Sequence, residues 1–261
     1  MLITFISCCT TRLILLASFL IIFDSVQCAN KPDWAKPCRK SDGPVDDCVR
    51  RRITEALPHL INGYPKARIP KIDPIAVKSL SVVTGSKQVG FSLKINDCLI
   101  YGMKTSDYYK VHVDFEKKRY DIYYRNPRME FQGQYEMDGK VLLLPIQGKG
   151  DGNMTLTDIT AFYTFDYKLV PKNGLHYVKI TNSSMTFEAG RGYYDLKNLF
   201  NGDKYLGTQM NNFLNDNYAD LIREFGPAMA DAFNQVFRSI YQAVFDMVPH
   251  EKMYPDIVVG K

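Results

Sequence analysis

The stretch "ITAFYTFDYKL", from Ile159 to Leu169, places Ile159, Ala161, Tyr163, Phe165, Tyr167 and Leu169 on one side of an extended chain. Thr160, Phe162, Thr164, Asp166 and Lys168 fall on the other. Side chains of a strand alternate between two faces, so this pattern specifies a strand with one face in a core and one in water. An alternation of 11 residues is about twice the common strand length, and a strand that long tends to coil around something.

The same period extends in both directions. In "PRMEFQGQYEM" the residues Met129, Phe131, Tyr135 and Met137 oppose Arg128, Glu130, Gln132, Gln134 and Glu136. Further upstream Val111, Val113 and Phe115 oppose His112, Asp114 and Glu116. The segments "EKKR", "MDGK", "GKGDGN" and "PKNG" read as the turns between strands, giving a meander of long antiparallel strands. Gly148, Gly150 and Gly152 in the third of these raise the question of a phosphate loop. Such a loop leads into a helix with Lys and Ser/Thr at its start, whereas "TLTDI" and an alternating strand follow here. The spaced carboxylates and terminal Glu of a calcium loop are also missing. The three glycines are therefore expected to be turn residues.

The apolar faces of these strands need a partner, and the C-terminal third supplies it. Met210, Phe213, Leu214, Leu221, Ile222 and Phe225 form one helical stripe. Beyond Gly226 and Pro227 it resumes with Met229, Phe233, Val236, Ile240, Ala243 and Met247, widened by Phe237 and Val244. One long helix, bent at Gly226-Pro227, is expected. The chain reads as an α+β protein, a long, strongly curved antiparallel sheet wrapped around a long C-terminal helix. Richness in Met and Phe leaves two readings of the stripe open, plain core and the lining of an irregular apolar cavity.

Near the N-terminus, Asp46 and Asp47 are placed to cap a helix carrying Val49, Ile53, Ala56, Leu57, Leu60 and Ile61, kinked by Pro58 and ended by Gly63. Pro65, Pro70 and Pro74 then mark an extended crossing segment. Ahead of all this, Arg12 precedes the apolar run "LILLASFLIIF", followed by "DSVQC". Residues 1–28 read as a secretory signal peptide, the run being too short to span a bilayer, and residues 29–261 as a single secreted, extracellular domain. Cleavage removes Cys8, Cys9 and Cys28. In an oxidising compartment Cys38 and Cys48 should then close a small loop tying the N-terminus to the following helix, leaving Cys98 as a buried apolar residue. "NMT" at Asn153, in the expected glycine turn, and "NSS" at Asn182 are glycosylation sequons.

The net charge of +5 is mild, and "RRR" at Arg50–Arg52 and "KKR" at Lys117–Arg119 fit a solvated helix face and a hairpin tip. No nucleic-acid partner and no stable membrane insertion are expected. Neither a G-x-S-x-G elbow nor a second His after "HEKMY" is present. His59, His112, His176 and His250 are scattered and read as surface or satisfied polar residues. Catalysis, a metal and a cofactor are not expected.

"CRKSDGPVDDC", "ARIPKIDPI", "FQGQYEMDGKVLLLPIQGKGDGNMTL" and "LFNGDKYLGTQMNNFLNDNYADLIREFGPAM" together resemble the insect takeout and juvenile hormone-binding protein family, over roughly Asp33 to Pro249. The hormone-binding branch has a second disulfide between later strands. No cysteine follows Cys98, which places this chain nearer the takeout branch. The resemblance implies the fold of the tubular lipid-binding superfamily, with an apolar tunnel between sheet and helix, and a secreted carrier of a small hydrophobic ligand such as a terpenoid, a juvenile hormone-like compound or a fatty acyl lipid. On that expectation Phe131, Tyr135, Phe165, Phe213, Phe225, Met229, Phe233, Phe237 and Met247 line the tunnel. The alternative is an extracellular signalling protein that presents its outer surface to an unidentified receptor, with lipid structural or absent.

Overall fold

A computed structural model of the protein describes residues 32–86 and 89–257. The elements run α1 (Val45–Leu60), β1 (Ile75–Ser86), β2 (Val89–Tyr101), β3 (Asp107–Asp114), β4 (Arg119–Val141), β5 (Leu144–Lys172), β6 (Leu175–Glu188) and β7 (Arg191–Leu196). The helices α2 (Lys204–Asp216), α3 (Tyr218–Met247) and α4 (His250–Met253) follow.

β4 and β5, 23 and 29 residues long, form the spine of one antiparallel sheet. Each changes partner half-way. β4 pairs with β3 over Arg119–Arg125 and with β2 over Glu130–Gly139, while β5 pairs with β7 over Gly152–Thr157 and with β6 over Thr160–Lys172. Both changes fall where Pro127 and Asp158 lie between the Asn126–Ile159 and Arg128–Thr157 pairs. Proline brings no N–H to a ladder, and Asp158 turns the chain at φ +53°. The buried Asn126 fills the junction. Its Nδ2 donates to the Gly102 carbonyl (2.8 Å) and Ser106 Oγ (3.0 Å), and its Oδ1 accepts from Arg128 N (2.9 Å).

The curled sheet closes on the helices through side chains. Along the free edge of β7, Asn211 accepts from Leu196 N and donates to Leu196 O, both at 2.9 Å. Asn215 does the same at Tyr194, at 2.9 and 2.8 Å. Along β6, Gln242 accepts from Ile180 N (2.9 Å) and donates to Val178 O (3.1 Å), Arg238 donates to the Ile180 and Thr181 carbonyls (both 3.1 Å), and Asn234 donates to Ser183 O (3.0 Å). Four residues along a helix rise roughly 6 Å and two along a strand roughly 6.6 Å, so amides spaced by four can follow a strand edge.

Several local expectations change. "GKGDGN" and "MDGK" lie inside β5 and β4, and the hairpin between them turns at Leu142 and Leu143. Gly148 and Gly150 are there because another segment crosses closely. A Cβ on Gly148 would lie 2.7 Å from Tyr135 Oη and 3.1 Å from Leu199 Cα, and one on Gly150 would lie 2.7 Å from the Lys197 carbonyl oxygen. Asn153 is accordingly an exposed mid-strand residue rather than a turn residue. "EKKR" and "PKNG" do turn the chain.

The break in the C-terminal helical region falls at Asn217, between α2 and α3, and α3 runs unbroken through Gly226 and Pro227. Its carbonyl-seeking amide explains the break: Asn217 Nδ2 and the Asn217 backbone N–H both donate to Phe213 O, at 2.8 and 3.0 Å. α1 likewise continues through Pro58. Asp46 lies in its first turn and holds β3 instead of capping, accepting from Val113 N (2.8 Å) and meeting His112 Nδ1 (2.9 Å). The Cys38–Cys48 disulfide is present and Cys98 is a buried free thiol.

The amide clamp should be energetically visible. Asn215→Ala leaves the Tyr194 N–H and C=O without partners in a part-buried setting and should cost about 1–3 kcal/mol. Urea denaturation, with faster hydrogen exchange at the Tyr194 amide, is the check.

Candidate functional site

Two apolar cavities lie along the inward face of α3. The larger, chamber 1, has a volume of about 200 Å³ and sits under α1 at the C-terminal end of α3. The sheet contributes Tyr108, Tyr120 and Ile122, α1 contributes Val49, Ile53 and Leu57, and α3 contributes Phe237, Tyr241 and Phe245. Trp34, Met253 and Tyr254 close it. The smaller, chamber 2, has a volume of about 90 Å³ between the hairpin end of the β4–β5 spine and the junction of α2 with α3. Phe91, Phe131, Tyr135, Met137, Leu214, Phe225 and Met229 are among its walls.

The residue between the chambers is Phe233, one turn beyond Met229 and one before Phe237. It stacks on Phe131 with ring centroids 5.0 Å apart and planes at 18°, and Phe187 tilts against it at 6.2 Å. This plate of rings divides the apolar space.

Chamber 1 carries the polar character of the site. Tyr120 Oη and Tyr254 Oη are 2.7 Å apart, both side chains buried. Two hydroxyls sharing one hydrogen bond leave one O–H donor uncommitted within that pair. Burial raises the pKa of Tyr108, Tyr120, Tyr124, Tyr241 and Tyr254 above the ordinary phenolic value, and that of Tyr163 to about 12, so all are neutral hydroxyls. The cations at the rim are engaged. Arg52 meets Glu55 (3.0 Å), Asp42 (3.4 Å) and the Pro37 carbonyl (3.1 Å), and Lys36 meets Glu55 at 3.6 Å. Among the described residues no group of acidic, His or Cys side chains could hold a metal ion.

The end of chamber 1 is closed by α4. Met253 O accepts from Cys38 N at 2.8 Å, and Tyr254 forms part of the wall. His250, expected at the surface or satisfied, is 4% exposed and its Nε2 has no partner. Its ring lies among Phe115, Tyr167 and Tyr254, at centroid distances of 6.1, 6.4 and 5.2 Å. Burial lowers its pKa below the ordinary 6.5, with neighbouring His176 acting in the same direction and Glu251 opposing.

Of the nine residues expected to line a tunnel, Phe131, Tyr135, Phe225 and Met229 line chamber 2, and Phe237 and Met247 line chamber 1. Phe233 is the plate between them. Phe165 is packed away, stacked on Tyr120 at 4.9 Å and edge-on to Phe245 at 5.6 Å, and Phe213 lies half-buried against the cluster around chamber 2. Sequence reasoning missed the contribution of α1 and Trp34. It also missed Tyr108, Tyr120, Tyr241 and Tyr254 as walls of chamber 1.

The family model described as haemolymph juvenile hormone binding protein matches residues 14–255. The chain belongs to this family. Within it, the Drosophila melanogaster circadian clock-controlled protein daywake is 26% identical over 85% of this chain and 88% of its own length. A putative beta-carotene-binding protein of Schistocerca gregaria is 22% identical over 79% and 82%. The crystal structure of Takeout 1 from Epiphyas postvittana superposes with a TM-score of 0.71 at 24% identity, covering 80% of this chain and 96% of that one. That likeness establishes the fold, a curled antiparallel sheet around a C-terminal helix. Among the described residues no helix is long and apolar enough to cross a membrane.

Two outcomes follow from this geometry. Phe233→Ala should lower the stability of the empty protein by about 3–5 kcal/mol and join the chambers. Thermal unfolding should then show a larger stabilisation by long apolar compounds, relative to short ones, than in the wild type. For His250, the depressed folded pKa means that the unfolded chain binds more protons below about pH 6.5, so stability falls as pH drops through that value. A melting-temperature series from about pH 7 to pH 5 should show the decline, and His250→Leu should flatten it.

Proposed function

We propose that this protein is a secreted carrier of an elongated, uncharged apolar compound held along the buried face of α3. The observation that carries this reading is the pair of apolar chambers in line on one helix. Chamber 1 alone exceeds the roughly 150 Å³ of an engineered cavity that stays dry and takes up benzene, so an apolar molecule is a better occupant than water. A family relative named for beta-carotene supports a long hydrocarbon as cargo.

The polar end is expected at the Tyr120–Tyr254 pair, where neutral hydroxyls suit an ester, ketone, ether or alcohol oxygen. A free carboxylate would have to displace Glu55 or Asp42 from Arg52. A ligand burying about 15 carbons gains on the order of 12 kcal/mol gross. Association costs several kcal/mol of that, which places the dissociation constant between micromolar and nanomolar. No reaction is part of the proposal. Burial and release suffice.

Secretion belongs to the same reading. Residues 1–28, which lie outside the described residues, serve as the cleaved signal, and the exposed Asn153 and Asn182 carry glycans. Native mass spectrometry of protein secreted by insect cells tests all of this at once. The expected species begins after Cys28, is glycosylated, and loses a neutral lipid-like adduct on denaturation. A bare polypeptide that also takes up no member of a panel of long-chain esters and terpenoids would end the carrier reading.

A further inference from the structure

The β4–β5 hairpin ends in a two-residue loop, Leu142 and Leu143, closed by the Val141–Leu144 pair. Both loop residues have positive φ, 47° and 74°. Asn-Gly is the preferred sequence for such a loop, because side chains other than Asn, Asp and Gly resist this conformation. Two leucines here run against the backbone preference, and Leu143 is also 90% exposed, so neither folding nor packing accounts for it.

The loop is not alone. Leu144 is 41% exposed, and on the first turn of α2 Tyr205 and Leu206 are 73% and 47% exposed. Both segments lead into one apolar cluster. Met210, one turn beyond Leu206, is buried in the same cluster as Val141 and Ile146, with Leu142 packed against it. Lys140 and Lys204 flank the two segments, both exposed and neither ion-paired among the described residues. Asp203 is held as the cap of α2, accepting from Leu206 N at 2.9 Å, and Asp138 stands two residues behind Lys140.

We propose that this end of the molecule docks on an anionic lipid surface, with Leu143 entering the headgroup region and Lys140 and Lys204 facing the phosphates. A convex loop end presents little area to a folded protein partner. Aliphatic side chains at the apex with a tyrosine and lysines around them are the chemistry that holds a protein at a membrane interface. The apolar apex is also continuous with the interior, since Val141 and Ile146, flanking the loop, are walls of chamber 2. The docking stands whether or not a chamber takes cargo. Exchange of cargo at the surface is the part that rests on the carrier reading.

The test is co-sedimentation of the cargo-free protein with vesicles of phosphatidylcholine, with and without phosphatidylserine. The wild type should bind the anionic vesicles more strongly. Leu143→Asn should weaken binding about tenfold or more, the scale of burying one leucine side chain. Its melting temperature should hold or rise, because Asn tolerates positive φ. Lys140→Glu with Lys204→Glu should remove the preference for anionic vesicles, each lysine contributing about fivefold. A wild type that stays in the supernatant with both vesicles overturns the proposal, as does Leu143→Asn sedimenting like the wild type. Dimers that Leu143→Asn dissolves, without vesicle binding, would make the patch a protein interface and equally overturn it.

Discussion

The structure depends on how a curled sheet ends. A half-closed sheet leaves two edges of unpaired backbone groups, and here one of them, formed by β7 and β6 in succession along β5, is taken up by amide and guanidinium side chains from α2 and α3. A carboxamide presents one acceptor and one donor in the spacing of a peptide group, so Asn211, Asn215 and Gln242 each replace a missing strand residue. Because these bonds run from helix to edge, they fix the helices against the sheet independently of how tightly the interior is filled. The clamp allows a long apolar face to coexist with open space beneath it.

That space has the form the spine gives it. The sheet bends where Pro127 and Asp158 oppose each other, and Asn126 supplies the hydrogen bonds that the bend disrupts. On either side of the bend lies one chamber, and the Phe131–Phe233 stack holds them apart. Tyr108, Tyr120, Tyr241 and Tyr254 stand among the aliphatic walls of chamber 1, giving a surface that is apolar over the rings and polar at their tips. Such a wall serves a neutral oxygen on a hydrocarbon better than it serves an ion, because each phenol is too buried to ionise.

Much of this was legible in the residues. The period-two runs gave the strands of the spine, and their inward members are the buried ones: Met129, Phe131, Tyr135 and Met137 on β4, and Ile159 through Tyr167 on β5. The helical stripe from Met229 to Met247 lies along the cavities as its spacing implied. Where reading went astray, the missing information was a distant neighbour. Gly148 and Gly150 look like a turn until Leu199 and Lys197 are seen crossing them. Two leucines look like strand until their φ values show the turn, and Pro227 looks like a break although α3 absorbs it while Asn217 makes one. His250 gives no local sign that the rings of Phe115, Tyr167 and Tyr254 will enclose it.

The sequence by itself therefore determined the class of fold, the buried faces and the pairing of Cys38 with Cys48, because periodicity and proximity along the chain are local properties. Only the tertiary structure decided where the interior is empty, that Phe233 divides it, that tyrosines and α1 wall its larger part, and that Leu143 stands in water at the end of the spine. A cavity is the difference between the volume that elements enclose and the volume their side chains fill. That difference depends on how β4, β5 and α3 curve against one another, which alternation along a single segment does not encode.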